Sequence, residues 1–221
     1  MKVAIITDNS FLANEIFRII SEQELNLSHS FDFYCSANSP VAKTFDHCSV
    51  TAVNLKDDCK YIADNFDCVI SAHCKQLFPE YLVEHASCAN IHPGLNPYNR
   101  GWFPQVFGIL NKLPWGATFH VIDKELDHGQ IIAQEELDID NWDTSLTAYE
   151  KVQKAEVELL KNHLSFDALD GDPRMFPMTT VVRQWYIVAN HEKPSDCPLL
   201  GRLGGVSIEI IQIPPNSNAI D

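Results

Sequence analysis

Apolar residues fall along this chain in short bursts whose spacing switches between strand-like and helix-like. Val3-Ala4-Ile5-Ile6-Thr7 is a nearly continuous apolar run of strand length, which predicts a strand buried on both faces. Asn9 or Ser10 can cap a following helix whose apolar positions Leu12, Ile16, Phe17 and Ile20 recur at helical spacing. Phe31, Phe33 and Cys35 then alternate with polar residues, as in a half-buried strand. A helix-like segment around Tyr61 and Ile62 leads into residues 67–72, where Cys68, Val69 and Ile70 form another short apolar strand. Residues 89–92 read as the end of a further strand running into the turn-rich Pro93-Gly94-Leu95-Asn96-Pro97.

The pattern continues with a helix over residues 103–110 after Gly101, and an alternating strand over 117–122. Residues 130–137 read as its continuation or its hairpin partner across Gly129. The clearest helix covers residues 144–164. Thr144 can cap it, and Leu146, Tyr149, Val152, Val157, Leu160 and Leu164 populate one broad face. Strands alternating with helices predict an α/β domain, a Rossmann-like and mainly parallel sheet with helices on both faces and ligands at the carboxyl ends of the strands. From about residue 167 the character changes. Gly171-Asp172-Pro173 breaks the pattern, and residues 179–189 and 206–213 read as two β-rich segments joined by a Pro/Gly-containing stretch. The chain therefore divides into a catalytic domain over 1–166 and a small β-rich appendage over 167–221. A two-stranded unit is marginal alone, so the appendage should pack on the body or form a hairpin that pairs two subunits as a homodimer.

Composition narrows the setting. The 221 residues are 45% hydrophobic, enough for one α/β core and a small appendage. No stretch approaches the roughly 20 apolar residues of a membrane span. The amino terminus has one lysine and soon an aspartate, which reads as a first strand rather than a signal peptide. Seven cysteines without a Cys-x-x-Cys pair suit a reducing, cytoplasmic compartment. The net charge of -14 repels a polyphosphate backbone and argues against a nucleic-acid substrate.

The candidate chemistry lies in Asn90-Ile91-His92-Pro93 and in Asp127 of Glu125-Leu126-Asp127-His128-Gly129. An amide, an imidazole and a carboxylate can together stabilise an oxyanion, move a proton and orient the base, which is what acyl transfer to a nitrogen nucleophile needs. Each group sits at the end of a strand-like run, so a parallel α/β fold would gather them. On their own, Asn90 and His92 read equally well as turn or core polar residues, and Asp127 as a turn residue before Gly129. Cys74 beside His73 raises a cysteine-nucleophile reading, weakened because adjacent strand residues point to opposite faces.

These residues resemble the folate-dependent formyltransferase family. Asn90-Ile91-His92-Pro93-Gly94-Leu95, backed by Asn96-Pro97-Tyr98-Asn99-Arg100-Gly101, looks like that family's first signature. Gly116-Ala117-Thr118-Phe119-His120-Val121 leading to Glu125-Leu126-Asp127-His128-Gly129 looks like its second. The resemblance implies 10-formyltetrahydrofolate as donor, an amine acceptor and no metal. It implies that Asn90 and His92 stabilise the charge developing on the formyl oxygen, and that Asp127 orients His92 or a water and relays the amine proton. It also implies a pterin facing the backbone groups of Lys75, Gln76 and Leu77 and the apolar Leu77 and Phe78, with the 122–127 loop, including Asp123, closing the other side.

Three branches of the family compete for the acceptor. The methionyl-tRNA enzymes carry a further RNA-binding domain and a basic surface, which the length and acidity of this chain argue against. The glycinamide ribonucleotide enzymes hold a phosphomonoester at a glycine-rich first loop, and here that loop is Thr7-Asp8-Asn9-Ser10-Phe11, without glycine. The run His73-Cys74-Lys75-Gln76 with residues 92–105 looks most like the enzymes that formylate nucleotide-linked aminodeoxy sugars, dTDP-4-amino-4,6-dideoxy sugars used for O-antigen synthesis above all. On that reading Asn9, Ser10, Tyr98, Arg100, Trp102 and Gln153 face the acceptor. Tyr98 or Trp102 stacks on a base or sugar, and Arg100 meets the diphosphate. The alternatives carried forward are a glycinamide ribonucleotide formyltransferase, a formyltetrahydrofolate hydrolase using the same trio on water, and a non-catalytic folate or nucleotide binder.

Overall fold

The computed structural model of the protein describes residues 1–101 and 103–164. Trp102 and the β-rich segments expected after residue 167, with the proposed dimerisation hairpin, lie outside these residues. In chain order the described elements are β1 (Lys2–Thr7), α1 (Ser10–Glu22), β2 (Ser30–Cys35), α2 (Val41–Thr44), β3 (Val50–Ala52), α3 (Leu55–Asn65), β4 (Cys68–Ala72), α4 (Glu80–His85), β5 (Ser87–His92), α5 (Pro104–Leu110), β6 (Trp115–Val121), β7 (Ile131–Leu137) and α6 (Ser145–His163).

The strands form one seven-stranded sheet in the order β3-β2-β1-β4-β5-β6-β7. Strands β1 to β5 pair in parallel, whereas β6 runs antiparallel to both β5 and β7. Alternate residues of β1 serve opposite faces. Val3 and Ile5 join the cluster beneath α1 and α6 with Leu12, Ile16, Phe119, Val152 and Leu160. Ala4 and Ile6 join the cluster beneath α3 and α4 with Leu55, Ile62, Val69 and Leu82. Both faces are thus covered, which explains why β1 and β4 carry near-continuous apolar sequence. Each fully buried aliphatic side chain contributes about 1.5–3 kcal/mol relative to exposure.

From β1 the chain steps outward to β2 and β3, then crosses back to β4 on the other side of β1. The strand order reverses there, and the carboxyl ends of β1 and β4 at such a reversal are where open α/β sheets bind their ligands. Residues 130–137 prove to be the hairpin partner, since β7 pairs with β6 across the turn at Gly129. Leu146, expected on the buried face of α6, is 63% exposed; the buried stripe begins two residues later, at Ala148. The edge strand β3 is three residues long and mostly exposed, too short to leave a periodic signal. Among the described residues no helix is long and apolar enough to cross a membrane.

Candidate active site

Strand β5 supplies two of the three candidate groups. Asn90 and His92 are two residues apart, so their side chains share one face of the sheet. Asp127 arrives by a route that a parallel reading did not foresee. Because β6 is antiparallel, its last residue, Val121, pairs with Ala89 near the start of β5. Residues 122–129 must therefore fold back to carry the Asp127 carboxylate to His92. Gly129 allows this close approach, since a Cβ there would strike the carbonyl of Val121. Asp127 itself adopts the left-handed region, φ 49°, which a short polar side chain tolerates better than most. Its carbonyl accepts a hydrogen bond from Asn96 Nδ2 at 2.9 Å, which fixes the returning loop against residues 93–101.

The three groups converge. Asp127 Oδ2 lies 3.6 Å from His92 Nδ1 and accepts the Gly101 amide at 2.9 Å. Asp127 Oδ1 accepts from Asn90 Nδ2 at 3.4 Å. His92 Nε2 donates to the carbonyl of Asn99 at 2.7 Å, so the single proton of the neutral ring sits on Nε2 and the Nδ1 lone pair faces Asp127. Burial pulls the His92 imidazole below its ordinary value, more than the attraction of Asp127 raises it. Burial alone would raise the Asp127 carboxyl, but the adjacent His120 and His92 imidazoles and the Gly101 amide outweigh it and hold Asp127 below the usual carboxylate range. The pair at neutral pH is a neutral base beside a carboxylate. That arrangement can accept a proton at Nδ1 and stabilise the imidazolium so formed.

His120 is a fourth member that sequence reasoning quoted without assigning. It lies opposite Asn90 in the β5–β6 pairing and is 2% exposed. Its Nδ1 donates to the Val121 carbonyl at 2.8 Å, which leaves Nε2 as an acceptor 3.3 Å from Asn90 Nδ2. Strand alternation and the Asn90 register could have found it, had the β5–β6 pairing been known.

A second, partly buried cluster adjoins the trio. Asn9 caps α1, its Oδ1 accepting the amides of Phe11 and Leu12. With that oxygen committed, Asn9 Nδ2 donates to His73 Nδ1 at 3.0 Å and to the Tyr149 hydroxyl at 3.3 Å. His73, at φ 57° just beyond β4, donates from Nε2 to Glu156 Oε1 at 2.7 Å. Glu156 is fully buried on α6. The Asn9 donor requires a lone pair on Nδ1 and so favours the neutral ring. Burial also lowers His73, but the Glu156 carboxylate outweighs it and raises the net value above the ordinary one.

The remaining predicted residues divide. The Gln76 side chain is committed within the protein: Oε1 accepts the Leu55 amide at 2.8 Å, and Nε2 donates to Val53 O at 2.9 Å and Ser36 Oγ at 3.0 Å. The Lys75 amide is also committed, donating to Asp8 Oδ2 at 2.9 Å. Asp8 further accepts from the Ser36 amide and hydroxyl, so Asp8 and Gln76 together tie the ends of β1 to β4 into a floor. Leu77 is 78% exposed and Phe78 is half-buried, the exposure an apolar ring could cover. Asp123 holds the 122–127 loop, accepting the Glu125 amide at 2.9 Å and pairing with His128 at 3.0 Å. Ser10 Oγ bonds Thr44 Oγ1 at 2.6 Å, Arg100 is exposed, and Tyr98 and Gln153 are half-buried. Burial pushes the Cys74 thiol up to about 12, so it is no nucleophile.

Residues 32–164 match the family model described as Formyl transferase. The chain is 51% identical over 111 residues to the dTDP-4-amino-4,6-dideoxyglucose formyltransferase of Mycobacterium tuberculosis, an overlap of 50% of this chain and 47% of that protein. The chain thus spans about half the length of the curated relatives it matches. Its fold is similar to a sugar N-formyltransferase of a Shewanella species, with TM-score 0.70 and 45% identity, covering 74% of this chain and 68% of that one. It is also similar to a 4-N formyltransferase of Francisella tularensis, with TM-score 0.67 and 43% identity, covering 74% and 67%.

Proposed function

The chain belongs to the formyl transferase family, and on that premise we propose that it transfers a formyl group from 10-formyltetrahydrofolate to the amino group of a nucleotide-linked aminodeoxy sugar, dTDP-4-amino-4,6-dideoxyglucose in particular. The observation that carries the reaction is the convergence of Asn90, His92 and Asp127, with His92 neutral and its Nδ1 lone pair open toward the carboxylate. The 51% identity to the mycobacterial relative supports the choice of sugar.

In this reading the amine nitrogen bonds to the formyl carbon and the bond from that carbon to N10 of the folate breaks. Asn90 turns one Nδ2 proton from its long contact with Asp127 or His120 to the formyl oxygen as charge develops there, a contribution of roughly 3 kcal/mol to the barrier. His92 Nδ1 takes the proton the amine loses, Asp127 steadies the resulting imidazolium, and that proton returns to N10 as tetrahydrofolate leaves. The products are a formamido sugar and tetrahydrofolate.

Leu77 and Phe78 on one side and the 122–127 loop on the other would hold the pterin. Gln76 and Asp8 act beneath it as supports. Asn9, Ser10, Tyr98, Arg100 and Gln153 line the acceptor side.

The test is release of tetrahydrofolate from 10-formyltetrahydrofolate across a panel of dTDP- and GDP-linked 3-amino and 4-amino deoxysugars, glycinamide ribonucleotide and an amine-free control. Release is expected with the dTDP-4-amino sugar. Equal release without any amine would convert the reading to a hydrolase. Preference for glycinamide ribonucleotide would move the chain to the purine branch.

A further inference from the structure

Along α6, Tyr149, Gln153 and Glu156 stand at positions i, i+4 and i+7, which is one face of the helix. Each keeps hydrogen-bonding capacity that no described residue takes up. The Tyr149 oxygen accepts from Asn9 Nδ2 at 3.3 Å, so its own proton points elsewhere and meets no acceptor among the described residues. The half-buried Gln153 amide has no side-chain partner. Glu156 Oε1 takes the His73 proton, while its fully buried Oε2 is unpartnered. Buried polar groups are paired in the great majority of cases, so the unpartnered Glu156 Oε2, beside two half-buried polar groups open to a ligand on the same helix face, marks a place suited to a polar guest. The face adjoins the trio, because Asn9 and His73 connect to it and α6 packs on β5, the strand that carries Asn90 and His92.

We propose that Tyr149 is a specificity-determining residue, donating its phenolic proton to a ring hydroxyl next to the amine that is formylated. The proposal rests on the reading above that the acceptor is an amino sugar. A hydroxyl suits the site better than a phosphate. The Glu156 carboxylate lies close enough to act on the Tyr149 phenol and would repel an anion, whereas a neutral hydroxyl meets no such penalty. The same hydroxyl can pass its own proton to the free Gln153 carbonyl, so donor and acceptor are both answered.

The experiment compares the sugar nucleotide with its analogue deoxygenated beside the amine, in the wild type and in Tyr149→Phe. If the wild type formylates no amino sugar, the acceptor reading fails and this proposal fails with it. If it does, the wild type is expected to favour the hydroxylated acceptor about tenfold in kcat/KM, the scale of one neutral hydrogen bond. Tyr149→Phe is expected to reduce that preference below about twofold through the acceptor KM, with the folate KM unchanged. Equal use of both acceptors by the wild type overturns the proposal without any variant. So does an undiminished preference in Tyr149→Phe, or a folate KM that rises in step with the acceptor KM.

Discussion

The His92 Nε2–H points at the carbonyl oxygen of Asn99, 2.7 Å away, and that one bond decides which nitrogen of the ring faces Asp127. A carbonyl cannot donate, so the proton of the neutral imidazole stays on Nε2 and Nδ1 keeps its lone pair. The loop that follows β5 therefore orients the base through its backbone, seven residues after His92 itself.

The first prediction concerns pH. Burial holds His92 below the ordinary imidazole value of 6.5, so the neutral base should persist into mildly acid solution. The acid limb of the kcat/KM profile is expected to have its midpoint below 6.5. Asp127→Asn should move that midpoint lower still, since the carboxylate favours the imidazolium, and a midpoint that rises would contradict the assignment. Stability has the same sign: below about 6.5 the unfolded chain binds a proton that the folded His92 refuses, so this residue costs stability as pH falls.

Substitution of the trio should separate chemistry from binding. His92→Asn and Asp127→Asn are each expected to lower kcat by about 10²–10⁴, the usual scale for general acid–base groups, with donor and acceptor affinity largely kept. Rapid-quench turnover paired with calorimetric binding would check this. Wild-type kcat in both variants would leave only a binding role.

Much of the fold and part of this site were legible in the sequence, for identifiable reasons. Val3 to Thr7 and Cys68 to Ala72 announce buried parallel strands because both of their faces are covered. The Asn9 and Thr144 caps stand where the side-chain chemistry requires them. The route of Asp127 was not legible, because nothing in the spacing tells an antiparallel β6 from a parallel one. Glu156 and His120 were hidden for a related reason. A buried charge or imidazole shows its purpose only beside its partner, and those partners are 83 and 30 residues away in sequence. The supporting role of the Gln76 side chain was hidden because its partners Ser36, Val53 and Leu55 belong to strand ends that meet only in the folded sheet.

That floor makes a stability prediction. Gln76→Ala strands the Leu55 amide and the Val53 carbonyl, each at roughly 1–3 kcal/mol if water does not replace the lost partner. A loss of about 2–4 kcal/mol is expected in urea unfolding, with a lower midpoint and an unchanged slope. Gln76→Glu should not rescue it at neutral pH, since a carboxylate cannot donate to Val53 and sits near the Asp8 carboxylate. A fully stable Gln76→Ala protein would show that the floor is held by other contacts.

Two glycines in the loop after β5 should respond differently to one added methyl group. At Gly94 a Cβ would lie 2.5 Å from His92 Nε2 and 2.8 Å from Pro104 Cβ, and would also press on the Asn99 carbonyl. It would wedge into the bond that fixes the His92 tautomer. Gly94→Ala is therefore expected to lower both the melting temperature and kcat, with an altered acid limb as His92 loses its acceptor. Gly101 adopts φ 84° but has nothing within 4 Å of an ideal Cβ. Gly101→Ala should cost about 1–2 kcal/mol of backbone strain, while its amide continues to donate to Asp127 and the acid limb stays in place. If the two variants lose activity equally with unchanged pH profiles, the Asn99 carbonyl does not orient His92, and the tautomer must be held by another contact.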